Sequence, residues 1–252
     1  MIKAILFDLS GVLYEGSHPI EGAAKTINRL EHGGLILRFI TNTSRKTKQQ
    51  VLDELHNMGF QITGDQLFTA PEAAQQWCIA NKLNPYCLVH KNIKPEFTDL
   101  EKPPYSAVVI GDAEDDLTYQ NLDTAFDILN SGAPLIAIGN NRYYKGEDRL
   151  HLDAGPFVKA LEYASDQNAI ITGKPSKTFF DQVIATTGCN KHEILMIGDD
   201  VYGDIEGARK AGITACLVRT GKYQPGDELK LTPPAPLAKD VSEAVNHYLP
   251  AL

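Results

Sequence analysis

The chain has 252 residues, of which 43% are apolar and 22% charged, with a formal net charge of -8 at neutral pH. That length buries a substantial core, and that composition excludes a disordered chain. The acidic balance argues against nucleic acid or an anionic membrane as the main partner. A phosphorylated substrate stays open, because a metal ion and a few cationic groups reverse the field locally.

Met1-Ile2-Lys3 leads straight into Ala4-Ile5-Leu6-Phe7-Asp8, so a chain without a signal peptide is expected. The short apolar run, bounded by Gly11, predicts a strand buried on both faces of a parallel sheet. Ile20, Ala23, Ala24, Ile27 and Leu30 recur at helical spacing until Gly33-Gly34. A second strand, Leu35 to Ile40, ends in Thr41-Asn42-Thr43-Ser44, and a helix with Val51, Leu52, Leu55 and Met58 inward stops at Gly59. Strand, helix, strand, helix implies parallel strands joined by right-handed crossovers.

The middle is less regular. A helix is predicted over Pro71 to Asn81, strands at Tyr86 to His90, Tyr105 to Gly111 and Leu135 to Ile138, and a helix from Thr118 to Leu129. Asn140 to Asp148 reads as a loop, and Gly155-Pro156 opens a helix with Phe157, Val158 and Leu161. Residues 77–168 are expected to form a separate α/β domain inserted into the first. The earlier rhythm then returns. A strand at Ala169 to Thr172 runs into Gly173-Lys174-Pro175, and a helix carries Phe179, Phe180, Val183 and Ile184. The strand Ile194 to Ile197 ends in Gly198-Asp199-Asp200, a short helix covers Asp204 to Ala211, and a strand spans Ile213 to Arg219. Pro225 to Pro236 is expected to wrap the surface before a terminal helix, Asp240 to Tyr248. The expected fold class is therefore α/β, a Rossmann-like doubly wound parallel sheet over residues 1–76 and 169–252 with an inserted α/β cap domain.

Cys78, Cys87, Cys189 and Cys216 form no CxxC pair, and no apolar run approaches a bilayer span, so a reduced cytoplasmic chain is the default. The histidines show no HxH or HExxH spacing. Any metal is thus expected to sit on oxygen ligands.

Four predicted strands of the outer segments end in polar residues: Asp8 with Ser10, Thr41 with Asn42, Lys174, and Asp199-Asp200 with Asp204. In a parallel sheet these endings share the edge where ligands bind. Each has an ordinary alternative: Asp8 and Thr41-Asn42 as loop or helix caps, Lys174 as a solvated loop lysine. Crowded Asp199, Asp200 and Asp204 are harder to dismiss, because like charges in one loop are costly without a cation. Together the endings fit one reaction. Asp8 attacks phosphorus to give an aspartyl-phosphate, and Mg²⁺ lies between the two anions on Asp8, Asp199 and the Ser10 carbonyl. Thr41 and Asn42 hold phosphate oxygens, and Lys174 offsets charge during transfer.

The set of an apolar run ending in DxSG, a second ending in TN, a GKP turn and a third run ending in GDDxxxDI resembles the four motifs of haloacid dehalogenase-like phosphatases. An insertion between the second and third motifs resembles the subgroup with a large α/β cap of the second type (C2, type IIA). The resemblance implies Asp8 as nucleophile, with Asp199 and the Ser10 carbonyl binding Mg²⁺ and Asp204 supporting the metal through water. It implies phosphate binding by Thr41, Asn42 and Lys174. The stretches Asp8 to Tyr14, Arg142-Tyr143-Tyr144-Lys145 and Gly155-Pro156-Phe157 are most similar to a branch acting on inorganic pyrophosphate and phosphorus–nitrogen bonds.

One position departs from the family. Most of its phosphatases place a second aspartate, the general acid and base, where this chain has Ser10. A serine keeps the backbone carbonyl for the metal but is a poor proton donor, and a matched general acid–base is worth on the order of 10²–10⁴-fold. Three readings follow: a slower enzyme, an enzyme whose leaving groups need no help, or a former enzyme kept for binding. The second is favoured, since Mg²⁺-bound pyrophosphate and N-protonated phosphoramidates leave more easily than alkoxides. The competing readings are a sugar- or nucleotide-monophosphate phosphatase and a slow phosphoacceptor.

Within the insertion, Arg142, Tyr143, Tyr144 and Lys145 are candidate specificity residues, against the alternative of packed tyrosines and solvated cations. The acidic run Asp112, Glu114, Asp115 and Asp116 is expected to be a solvated loop rather than a second metal site. The expected partners are a small-molecule phosphate substrate and a second copy of the chain in a homodimer, with no nucleic acid and no membrane.

Overall fold

The computed structural model describes residues 1–145 and 149–250; the side chains of Tyr144, Lys145 and Leu150 also fall outside the description. The opening apolar run forms β1 (Ala4–Asp8), buried at every residue. A hairpin of β2 (Tyr14–Glu15) and β3 (His18–Pro19) follows, too short for any alternation to show in sequence. α1 (Ala23–His32) turns Ala23, Ile27 and Leu30 inward. β4 (Ile36–Thr41), α2 (Lys48–Asn57) and β5 (Leu67–Thr69) come next. The Thr69 hydroxyl caps α3 (Ala70–Ala80), accepting the Glu72 N–H at 3.2 Å.

The succeeding elements are β6 (Pro85–Leu88), β7 (Ala107–Ile110), α4 (Tyr119–Asn130), β8 (Leu135–Ala137), β9 (Tyr143–Lys145), β10 (Leu150–Leu152), α5 (Ala154–Ser165) and β11 (Ile170–Ile171). The chain closes with α6 (Lys177–Ala185), β12 (Ile194–Gly198), a π-helical turn over Val201–Glu206, α7 (Gly207–Ala211), β13 (Thr214–Val218), β14 (Leu237–Ala238) and α8 (Val241–Tyr248). Among the described residues, no helix is long and apolar enough to cross a membrane.

These elements make two compact units. The first holds Met1–Thr41, Lys48–Phe68 and the chain from Lys174 onward. Its sheet has the order β14-β13-β12-β1-β4-β5, and β1 is parallel to both neighbours, with Phe7 level with Phe39 and Ile197. The winding leaves β1 in one direction through β4 and in the other through β12, which puts the crevice of this Rossmann-like sheet beside the end of β1. Ile5, Phe7, Leu37, Phe39, Leu195 and Ile197 alternate onto one face and pack with α1 and α8. There the Phe7 and Phe39 rings stack 5.6 Å apart. The π turn and α7 pack on β12 and β13.

The second unit comprises Asn42–Thr47 and Thr69–Gly173. Its four-stranded sheet runs β11-β8-β7-β6, with β9 and β10 forming a separate antiparallel hairpin. Ala70, Ala74 and Cys78 of α3 pack with Val109 and Ile136 in one core cluster, while Ala125 and Leu129 of α4 and Val158 and Leu161 of α5 pack with Val108 and Ile110 in another.

Three differences from the sequence expectation follow. The segment Ala169 to Thr172, which holds β11, is expected from sequence to be a strand of the first sheet. It instead pairs parallel with β8 in the second, Ile170 opposite Ile136, because an apolar pair carries no mark of its partner. With β11 and all of α3 included, the second unit runs from Thr69 to Gly173 rather than over 77–168. The helix expected from Asp204 begins three residues earlier as a π turn, with the N–H groups of Asp204 and Ile205 both donating to the Asp200 carbonyl, at 2.9 and 3.2 Å.

Candidate active site

Parallel register brings three chain ends to one edge of the first sheet. Asp8 closes β1 opposite Ile40, Thr41 closes β4 one residue further on, and Asp199 follows Gly198 at the end of β12. Asp8, Thr41 and Asp199 are buried there, Asp199 at 1% exposure. The π turn carries Asp204 back to the same place. A side chain at Gly198 would put its Cβ 2.3 Å from the Asp204 Cβ, so only glycine leaves room for this return. Asp200 caps the turn, accepting the N–H groups of Tyr202 and Gly203 at 3.0 and 2.8 Å. π bulges of this kind recur at functional sites.

Lys174 completes the group. Its Nζ donates to Asp8 Oδ1 at 2.5 Å and to Asp204 Oδ1 at 2.7 Å. The lysine was expected to follow a strand of this sheet. It arrives instead from the segment after β11, one residue beyond the second unit. Carboxylate oxygens of Asp8, Asp199 and Asp204 lie within 4.8 Å of one another.

Burial dominates the electrostatics of these carboxyls, with neighbouring charges acting on top of it. Burial, with the Asp8 and Asp204 charges added, pushes the Asp199 carboxyl up to about 8. Burial pushes Asp204 up to about 6, against the pull of Lys174. For Lys174, burial favours the neutral amine, but Asp204 and Asp8 outweigh it and hold the ammonium charged beyond the usual lysine range. The Tyr14 hydroxyl, half-buried, is pushed up to about 12 by burial and by Asp8.

A further loop reaches the site that the sequence did not single out. After β13, the Lys222 N–H donates to Asp199 Oδ2 at 2.7 Å, the Gly221 N–H donates to Glu15 Oε1 at 2.7 Å, and the Thr220 hydroxyl donates to the Gly11 carbonyl. Gly11 (φ +88°) and Gly221 (φ +66°) press on Asp199 Oδ2. A Cβ on either would lie 2.0 or 2.1 Å from it. Lys222 Nζ pairs with Asp200 Oδ2 at 3.3 Å. These contacts use backbone N–H groups, which any residue supplies. The available signal was positional: β13 is followed by Arg219-Thr220-Gly221-Lys222 on the edge already occupied by the ends of β1, β4 and β12.

The remaining expected residues fall elsewhere. Ser10 lies just past β1 with its side chain exposed. Asn42 belongs with the second unit, its Oδ1 close against Gly173. Arg142 and Tyr143 are exposed in the second unit, where they line a cavity of about 660 Å³ with His151, Leu152 and Lys159. The side chains of Tyr144 and Lys145 lie outside the described residues. The acidic run is not simply solvated. Asp112 is buried and bonded by Arg45 Nε at 2.5 Å, and Glu114 pairs with Arg45 Nη1 at 3.0 Å and His90 Nε2 at 3.2 Å. Asp115 and Asp116 are exposed, as expected.

Comparison with known proteins accords with this arrangement. A family model described as haloacid dehalogenase-like hydrolase matches residues 5–101, and a second, HAD-hydrolase-like, matches residues 171–244. Human haloacid dehalogenase-like hydrolase domain-containing protein 2 is 43% identical over 249 residues, covering 98% of this chain and 96% of the relative. The chain belongs to the haloacid dehalogenase-like hydrolases. Phospholysine phosphohistidine inorganic pyrophosphate phosphatase of Xenopus laevis is 43% identical over 234 residues, covering 90% of this chain and 87% of the relative. Among solved structures, a 4-nitrophenylphosphatase from Thermotoga maritima superposes with a TM-score of 0.88 at 24% identity, covering 97% of each chain, and so shares the fold.

In this haloacid dehalogenase-like hydrolase the carboxylate cluster suits a hard divalent cation. Asp199 Oδ2 is occupied by the Lys222 N–H, whereas Asp199 Oδ1 is buried with no hydrogen-bond partner among the described residues. An orphaned carboxylate oxygen beside two further carboxylates is costly unless a cation takes it. All-oxygen donors with few charges are the set Mg²⁺ prefers.

Proposed function

We propose that this haloacid dehalogenase-like phosphatase is Mg²⁺-dependent and hydrolyses small phosphorylated compounds through an aspartyl-phosphate on Asp8, favouring inorganic pyrophosphate and phosphorus–nitrogen compounds. One observation carries the mechanism: Lys174 Nζ holds Asp8 Oδ1 at 2.5 Å beside an Asp199 oxygen that has no hydrogen-bond partner among the described residues. Asp8, Asp199 and the Ser10 carbonyl would hold the cation, with Asp204 in support through water. Bound Mg²⁺ would neutralise charge between the Asp8 carboxylate and the incoming phosphate.

The chain's own groups do the rest. A carboxylate oxygen of Asp8 forms the bond to phosphorus while the bond to the leaving group breaks, its electron pair staying with the leaving atom. Lys174 holds the Asp8 carboxylate in place through its hydrogen bond to Oδ1, and spreads charge as the phosphoryl group moves. The Thr41 hydroxyl and the Asn42 amide are assigned to the phosphate oxygens. Water then cleaves the acyl phosphate, returning Asp8 and releasing phosphate.

Ser10 supports the choice of substrate. Without a carboxyl two residues after Asp8, an alkoxide leaves unassisted. A phosphate group or an amine already protonated at nitrogen leaves without an acid. The Xenopus relative named for pyrophosphate, phospholysine and phosphohistidine adds to that reading. Phosphate release should be measured from pyrophosphate, imidodiphosphate and a sugar phosphate for wild type, Asp8→Asn and Ser10→Asp. Asp8→Asn is expected to be inactive on all three. Ser10→Asp should raise turnover of the sugar phosphate, by up to about 10²-fold or more if the new carboxyl acts as general acid. A wild type that prefers the sugar phosphate defeats the leaving-group argument.

A further inference from the structure

The loop behind Asp199 is held from outside the carboxylate cluster. Gly221 and Lys222 present two successive N–H groups that point to two different carboxylates. The first goes to Glu15 Oε1 and the second to Asp199 Oδ2, each at 2.7 Å. Gly221 sits at φ +66°, where glycine is needed, and glycine populates either sign of φ at little cost. Left alone, its peptide would turn readily and carry the Lys222 N–H off Asp199. Two ties oppose that turn: the Thr220 hydroxyl on the Gly11 carbonyl and the Glu15 carboxylate on the Gly221 N–H. Glu15 is the exposed residue of β2 and stands outside the cluster of Asp8, Asp199 and Asp204.

We propose that Glu15 is a positioning residue for the cation: by gripping the Gly221 N–H it aims the Lys222 N–H at Asp199 Oδ2 and so leaves Asp199 Oδ1 as the ligand atom. The inference rests on the reading of Asp8, Asp199 and Asp204 as a Mg²⁺ site. Three packing facts make the tether specific. The Asp199 carboxylate is 1% exposed, Gly11 and Gly221 each approach Oδ2 so closely that no Cβ fits, and Oδ1 has no hydrogen-bond partner among the described residues. The carboxylate therefore turns only if one of those two backbones moves, and the hairpin bearing Glu15 fixes one of them. Partners that orient a ligand in this way are worth about 10–100-fold in metal affinity when removed.

The test is a Mg²⁺ titration of the purified full chain, followed by the rise in melting midpoint, for wild type, Glu15→Ala, Glu15→Lys and Glu15→Gln. Glu15→Ala and Glu15→Lys both remove the acceptor, the second while keeping a long side chain on the hairpin. Each should raise the half-saturating Mg²⁺ concentration by about tenfold or more, with the metal-free melting midpoint near wild type. Glu15→Gln keeps an amide oxygen that accepts the Gly221 N–H and should restore the wild-type titration. At saturating Mg²⁺, the turnover of the acceptor-free variants should return towards that of wild type. Wild-type Mg²⁺ affinity in both acceptor-free variants, or a Glu15→Gln as weak as they are, overturns the assignment. A wild type whose midpoint ignores Mg²⁺ overturns the metal reading itself, an outcome distinct from the other two.

Discussion

Gly221→Ala is the sharpest perturbation of the proposed cation site, because its cost divides into two parts that a control separates. The first is backbone strain: at φ +66° a residue with a Cβ costs roughly 1–2 kcal/mol. The second is steric, since the new Cβ would lie 2.1 Å from Asp199 Oδ2 and 2.4 Å from Gly11 Cα. Neither neighbour yields easily, one being a buried carboxylate and the other backbone at φ +88°. Overpacking of that kind costs about 1–3 kcal/mol, giving about 2–5 kcal/mol in all. Gly188 supplies the control, with φ +63° and, among the described residues, nothing within 4 Å of its would-be Cβ. Gly188→Ala should show the strain alone. Urea unfolding of the first unit, followed for both variants with and without Mg²⁺, gives the comparison. Gly221→Ala should lose more stability than Gly188→Ala, and only Gly221→Ala should lose the Mg²⁺-dependent increment, because Asp199 must move. Equal losses in the two variants, or an intact Mg²⁺ increment in Gly221→Ala, would refute the packing argument.

Two further outcomes concern the buried charges. Lys174→Met removes the ammonium that bonds both Asp8 and Asp204 and leaves Asp204, at 0% exposure, without its counter-charge. Breaking a buried pair from one side costs about 3–5 kcal/mol, so denaturant unfolding at pH 8 should show a loss of that order, together with loss of phosphate release; a variant as stable and active as wild type refutes it. The second outcome is a pH dependence. Asp199 and Asp204 are raised to about 8 and about 6 from a carboxyl value of 3.8, so the folded metal-free chain holds protons that the unfolded chain has released. Their contribution to stability is therefore present below the unfolded value and is lost as pH rises through about 6 and then about 8. Mg²⁺ competes with those same protons. The Mg²⁺-induced rise in melting midpoint should be larger at pH 8 than at pH 5.5, and a rise that shrinks with pH would count against carboxylate ligation.

Much of the site was legible because its residues sit at ends of buried strands. An apolar run ending in aspartate marks Asp8 and Asp199 directly, and parallel order places them on one edge. Asp204 was legible as a residue but not as a π turn, since the extra residue in that turn is fixed by packing beneath Gly198. Lys174 was identified by its motif while its route was misread, because Ile170-Ile171 would suit either sheet and only the long-range partner, β8, decides. The loop Thr220–Lys222 escaped because its bonds come from main-chain N–H groups. Strands of two residues, such as β2 and β14, cannot display a period at all. The paired state of Asp112 and Glu114 depends on Arg45, some 67 positions away in the chain for Asp112, which no local pattern records.

The membership of β11 has a practical consequence for anyone trimming or swapping the insertion. A graft taken at 77–168 would cut α3 in its middle and strip the sheet of an edge strand. Cuts at Thr69 and Gly173 keep both elements whole. Gly173 must travel with the graft, for its would-be Cβ lies 2.6 Å from the Ile138 carbonyl oxygen and 2.8 Å from Asn42 Oδ1, both within the same unit. The next residue is Lys174, which must stay behind with Asp8. At the C-terminal junction the permissible splice is thus a single peptide bond, and a shift of one residue towards the C-terminus hands the lysine that bonds Asp8 to the donor's sequence.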